Sequence, residues 1–148
     1  LSEPEILDWD SALGDLHMTS NHPVVHFEMP YEDAERVETF YSKVFGWQMN
    51  ALGAGMGDYV TAETTASANG RSTTPGGING GFFRKQPEQP DQYPSVVIAV
   101  NDVEAARTAI AEAGGTVLAE PLEIPGVGTY LSFADTEGNR VSLLQPLM

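Results

Sequence analysis

One folding pattern occurs twice in this chain. Ser95 to Ile110 overlays His26 to Tyr41 without a gap, strand on strand and helix on helix. Each copy reads as a strand, a helix and then three strands. One unit of this size cannot bury both faces of its own sheet. Two units side by side can, with helices outside and a concave sheet surface inside. The order of elements therefore predicts an α+β fold of two βαβββ modules, within a length of 148 residues that suits one domain.

In the first module, Val24, His26 and Glu28 alternate onto one face of a strand, and Val25, Phe27 and Met29 onto the other. The Phe27 face is apolar and belongs under the helix. An imidazole and a carboxylate are then left on the opposite face. Asp33 is a suitable N-cap, Ala34, Val37, Phe40/Tyr41 and Val44 form the apolar stripe, and Gly46 stops the helix. Strands follow at 47–50, 58–64 and 78–85, with a polar loop over 65–77. The pair Gly80-Gly81 suggests a bulge or a close backbone approach.

The proline- and glutamine-rich stretch 86–93 reads as a linker between module one (22–85) and module two (94–146). In the second module, Asn101 with Glu104 forms a capping-box-like start. Val103, Ala106, Ile110 and Ala113 give the helix face, and Gly114-Gly115 end it. Three strands complete the module over 116–119, 128–134 and 139–145.

Composition narrows the function classes. The net charge of −14 argues against nucleic acid and anionic membranes as partners. Without cysteine, disulfides, thiolate catalysis and thiolate metal sites are excluded. No apolar run is long enough to span a bilayer and no secretory signal pattern is present, so cytoplasm is the expected location. Residues 1–17 hold five acids and neither Lys nor Arg. His17-Met18 resembles a cloning junction, which makes Met18 the expected natural start and 18–148 the domain. Ile6, Leu7, Trp9, Leu13 and Leu16 nevertheless fall on a helical stripe.

Four segments together resemble a known family: HPVVHFEMPYEDAERVETFYSKVFGW, PGGINGGFF, YPSVVIAVNDVEAA and IPGVGTYLSFADTEGNRVSLLQP. They are similar to the vicinal oxygen chelate (VOC) superfamily, which contains glyoxalase I, bleomycin-resistance proteins and extradiol dioxygenases. The resemblance covers residues 22–146. It implies a half-closed, eight-stranded barrel-like cup with helices outside, and in the enzymes a divalent metal held by first- and last-strand ligands of each module. Those positions fall on His26, Ser95, about Asn79, and Ser142. One imidazole and three neutral side chains would hold Zn²⁺, Ni²⁺, Fe²⁺ or Mn²⁺ poorly, so no tightly bound metal is expected. If one were present, His26 and Glu28 would be its ligands.

The expected function is glyoxalase-like binding of a small organic molecule by a homodimer. His26 and Glu28 are the candidate catalytic residues, and Tyr59, Asn79, Ser95, Tyr130 and Ser142 the candidate ligand-binding ones. Enclosure beside Glu28 is expected to raise the His26 pKa and keep the ring charged. Hydrogen bonds from Tyr59 or Tyr130 are the alternative environment for Glu28, and Trp47 is read as core. The alternative functions are a metal-dependent isomerase, lyase or dioxygenase, and a bleomycin-type sequestering protein.

Overall fold

The computed structural model describes residues 21–69 and 71–147. The proposed cloned leader, its helical stripe and the Met18 start lie outside the described residues. The strands are β1 (Val24–Tyr31), β2 (Gln48–Ala51), β3 (Val60–Glu63), β4 (Ser67–Ala68), β5 (Arg71–Ser72), β6 (Asn79–Arg84), β7 (Ser95–Ala99), β8 (Thr116–Val117), β9 (Leu122–Ile124), β10 (Gly128–Ala134) and β11 (Arg140–Pro146). Helices α1 (Ala34–Phe45) and α2 (Val103–Glu112) follow the first strand of each half.

Eight strands run in the order β2-β3-β6-β1-β7-β11-β10-β8, and β9 pairs with β10. Each half is a βαβββ unit whose first and last strands are parallel, β1 with β6 and β7 with β11. The halves join through antiparallel β1 and β7, with Glu28 opposite Ser95 and a register shift between Val24 and His26. The sheet is one curved surface rather than a closed barrel, since β2 and β8 end the path unpaired with each other. No helix among the described residues is long and apolar enough to cross a membrane.

Two cores hold the helices to the sheet. The first is aromatic: buried Tyr31, Val60, Ala62 and Phe82 pack with Phe27, Tyr41 and Trp47. The second is aliphatic: Val100, Val103, Leu131 and Leu143 pack with Ile98 and Ile110. Asp33 caps α1 by accepting from the Arg36 amide, and Gly46 ends it at φ 72°. The stripe on α1 is narrower than its spacing suggests. Val37 and Tyr41 reach the core, whereas Phe40 and Val44 remain 53% and 56% exposed. The cap of α2 is Asp102, which accepts from the Ala105 amide, one residue beyond the expected Asn101. Inside the expected loop, β4 and β5 form a short hairpin, and β9 adds a strand the alternation did not reveal.

Candidate functional site

The concave face takes alternate residues from the strands. His26 and Glu28 come from β1, Ser95 from β7, Tyr130 and Ser132 from β10, and Arg140 and Ser142 from β11. Tyr59 enters from the residue before β3. The glycine pair makes this possible. A Cβ on Gly81 would collide with the Tyr59 ring, and one on Gly80 with Phe27 on the opposite face. Strand β6 keeps an unbroken parallel register with β1 here, so the pair serves close approach and not a bulge.

A chain of hydrogen bonds crosses the seam between the halves. The Tyr59 hydroxyl donates to Glu28 Oε2 at 3.1 Å and the Tyr130 hydroxyl donates to Glu28 Oε1 at 2.8 Å. His26 Nε2 lies 2.8 Å from the Tyr59 hydroxyl, and Ser142 Oγ 2.6 Å from that of Tyr130. Each phenol has one proton, already directed at the carboxylate. Nε2–H of His26 and the Ser142 hydroxyl must therefore donate to the phenol oxygens, which places a proton on His26 Nε2.

The electrostatics agree. Burial lowers the His26 pKa to about 4. This corrects the expectation of a charged ring, because Tyr59 stands between imidazole and carboxylate and desolvation prevails. Burial raises the Glu28 pKa, against the smaller opposing pull of its bonds to Tyr130 and Tyr59 and of the Arg140 charge. The Tyr130 phenol is pushed up to about 12, first by burial and then by the Glu28 charge. Tyr59 rises further for the same reasons.

Beside this chain lies a cavity of about 220 Å³, lined by Glu28, Tyr59, Ser95, Tyr130, Arg140 and Ser142 and walled by the 86–93 segment. That segment is no loose linker. The buried Gln92 amide bonds the Gln86 backbone N–H and C=O and the Gln89 carbonyl, folding the turn over the cavity. Five of the expected residues thus meet around one hollow: Glu28, Tyr59, Ser95, Tyr130 and Ser142. Two do not reach its wall. His26 stands behind Tyr59. Asn79 is occupied in tying down the loop, accepting from the Thr64 and Thr65 amides at 2.7 and 3.0 Å and donating to Ser67 Oγ at 2.6 Å. Trp47 is core, stacked on Tyr41 at 4.7 Å between centroids. Arg140 was missed, although its two-residue offset from Ser142 on the final strand would have put both on one face.

The register also revises the ligand positions that the resemblance implied. Glu28 pairs with Gly81 in β6, and Val97 pairs with Ser142 in β11. With His26 overlaid on Ser95, Glu28 overlays Val97, so the counterpart of Ser142 is Gly81, not Asn79. The Tyr59 ring fills the space a ligand there would need. The donor set at the four positions is then one imidazole, two hydroxyls and no side chain, which fits a divalent ion poorly. Among the described residues, no group of three or more His, Cys, Asp or Glu is placed to hold one.

The model of the Glyoxalase/Bleomycin resistance protein/Dioxygenase superfamily matches residues 24–143. The chain belongs to this superfamily. A glyoxylase-like domain-containing protein of Didymella fabae is 34% identical over 115 residues, covering 76% of this chain and 84% of that one. The anthracycline biosynthesis protein DauV of Streptomyces sp. (strain C5) is 28% identical over 121 residues, and the match spans 42% of its length. Methylmalonyl-CoA epimerase from Mycobacterium tuberculosis superposes with a TM-score of 0.63 at 13% identity, over 90% of this chain and 96% of that one. At that identity the superposition shows the shared fold alone.

Proposed function

We propose that this superfamily member binds a small organic molecule in the cup, without a tightly held metal. The observation that carries the reading is Glu28, a half-buried carboxylate gripped by phenols from both halves at the wall of a half-open hollow. Two hydrogen bonds offset part of the cost of burying that charge, and a carboxylate kept there serves a ligand better than it serves stability. The volume favours a compact ligand, since drug-sized molecules need roughly 300–1,000 Å³. This argues against bleomycin-type sequestration. The poor donor set argues against metal-dependent isomerase, lyase or dioxygenase chemistry.

Ligand-observed NMR with a library of small organic molecules, run in excess chelator, tests the reading. Binders of the parent are expected to persist in chelator and to vanish in Ser142→Phe, which fills the cup. Binders that require a divalent ion, or stoichiometric metal in protein purified without added metal, would overturn it.

A second reading, an enzyme using Glu28 as a metal-independent acid–base group, is favoured by one observation: the raised pKa of a carboxylate that borders the cavity. His26, neutral and behind Tyr59, would then orient the phenol and not exchange protons with substrate. Turnover abolished in Glu28→Gln but retained in His26→Gln would support this assignment. We also propose a homodimer in the cytoplasm; the exposed Phe40, Val44 and Phe45 on α1 offer it an apolar surface, and light scattering at micromolar concentration reads the mass.

A further inference from the structure

Resting on the cup-binding reading, we infer that the ligand is a short hydroxy acid, its carboxylate seated on Arg140 and Ser95 and its hydroxyl directed at Glu28. Three strands set this arrangement. Glu28 on β1 lies opposite Ser95 on β7. Strands β7 and β11 are parallel with Val97 opposite Ser142, so two residues back along both, Ser95 lies beside Arg140. Carboxylate, small hydroxyl and guanidinium therefore stand in a row across the concave face. Two strand spacings put the outer backbones about 10 Å apart. Serine in the middle keeps the row low beside the Tyr130 hydroxyl that reaches Glu28 and Ser142, and all three residues line the cavity.

The unused hydrogen-bonding capacity along the row gives the polarity of the ligand. Glu28 already accepts from a phenol on each oxygen and retains lone pairs for one more donor. The Ser95 hydroxyl has no side-chain partner among the described residues. Among the described residues, the Arg140 side chain has one hydrogen bond, to Ser132 Oγ at 3.4 Å, and its charge is felt by Glu28 without an ion-pair contact. Arg36, Arg84, Lys85 and Arg107 each reach an acid. Lys43 and Arg71 are exposed and do not line the cavity. Among the described residues, Arg140 is thus the cavity's cation without an ion pair, in a chain with 21 acids and 7 bases. Its guanidinium is a planar fork that suits a carboxylate bidentately. Arg84, the other cavity cation, is held by Asp58 at 3.3 Å.

The test uses the whole chain with arginine side chains labelled for ¹⁵N NMR, titrated with sodium 2-hydroxybutyrate and with the neutral 2-hydroxybutyramide. The acid is expected to shift the Arg140 Nε–H resonance saturably and to bind at least about tenfold more tightly than the amide, as a charge-assisted pair requires. Arg140→Met should reduce the acid to the level of the amide. Arg140→Lys should restore part of the difference, and Arg107→Met should leave it unchanged. Equal binding of acid and amide, full acid affinity in Arg140→Met, or no saturable shift with the acid overturns the inference. Amide shifts at cup resonances without preference for the acid would sink the hydroxy-acid assignment and leave the cup reading standing.

Discussion

The two halves of this protein share a topology and differ in what fills it. Module one packs α1 over an aromatic core of Tyr31, Phe82, Phe27, Tyr41 and Trp47, whereas module two packs α2 over Val100, Val103, Leu131 and Leu143. Their concave walls differ too. Module one supplies the ionisable pair His26 and Glu28 with Tyr59; module two supplies Ser95, Ser132, Ser142, Tyr130 and Arg140. Gly81 and Ser142 occupy corresponding places, yet one exists to admit a ring and the other to donate a hydrogen bond. A duplicated backbone leaves each half free in its side chains. What both must preserve is the β1–β7 seam, where each contributes one phenol to the same carboxylate.

The largest effects come from the cores. Phe82→Ala should cost about 4 kcal/mol and Leu131→Ala about 3, because each opens a cavity in a fully packed layer. Both should give a single denaturation transition, since the continuous sheet joins the halves. Two resolved transitions in either variant would break the comparison by showing that the modules unfold separately. Next is Gly81→Ala, expected to cost about 2 kcal/mol by overpacking against Tyr59. Ser142→Ala at the matching position should cost about 1 kcal/mol, the loss of one hydrogen bond. Equal costs would mean that the two positions are not differently constrained.

Acid titration sharpens the contrast further. The folded pKa of His26 is depressed to about 4 while its ordinary value is 6.5. Between those values the unfolded chain binds a proton that the folded chain does not, so stability falls as pH drops from 6.5 towards 4. The loss is on the order of 3 kcal/mol, complete below the lower value. Urea denaturation of His26→Gln should show a correspondingly flatter pH profile over that window. Glu28 has the opposite sign: its folded pKa is raised. The folded state holds the extra proton, so this group's contribution weakens as pH rises from the ordinary carboxylate range through the folded pKa. Glu28→Gln should therefore gain stability relative to the parent at pH 8, and the gain should disappear in acid.

Much of this was legible in the residues. Period-2 alternation put His26 and Glu28 on the concave face, and the repeated helix spacing gave both modules. Asn79 and Ser142 failed as equivalents because a glycine pair carries no side-chain pattern from which to count register. The Gln92 wall was invisible because its bonds go to backbone groups within the same turn, which composition reports only as polarity. The neutral state of His26 comes from its burial, beside Tyr59, a residue 33 positions away whose ring needs the missing Cβ of Gly81. Arg140 sat in plain view on the last strand, but only the β7–β11 register sets it beside Ser95.

The central claim is that phenols from both halves grip one carboxylate in a shared hollow. The direct measurement is the pKa of Glu28 from ¹³C NMR of its carboxyl carbon, in the parent and in Tyr59→Phe and Tyr130→Phe. The account predicts a value above that of an ordinary glutamate, raised further by each substitution because each phenol stabilises the ionised form. An ordinary glutamate value, indifferent to both substitutions, would contradict it.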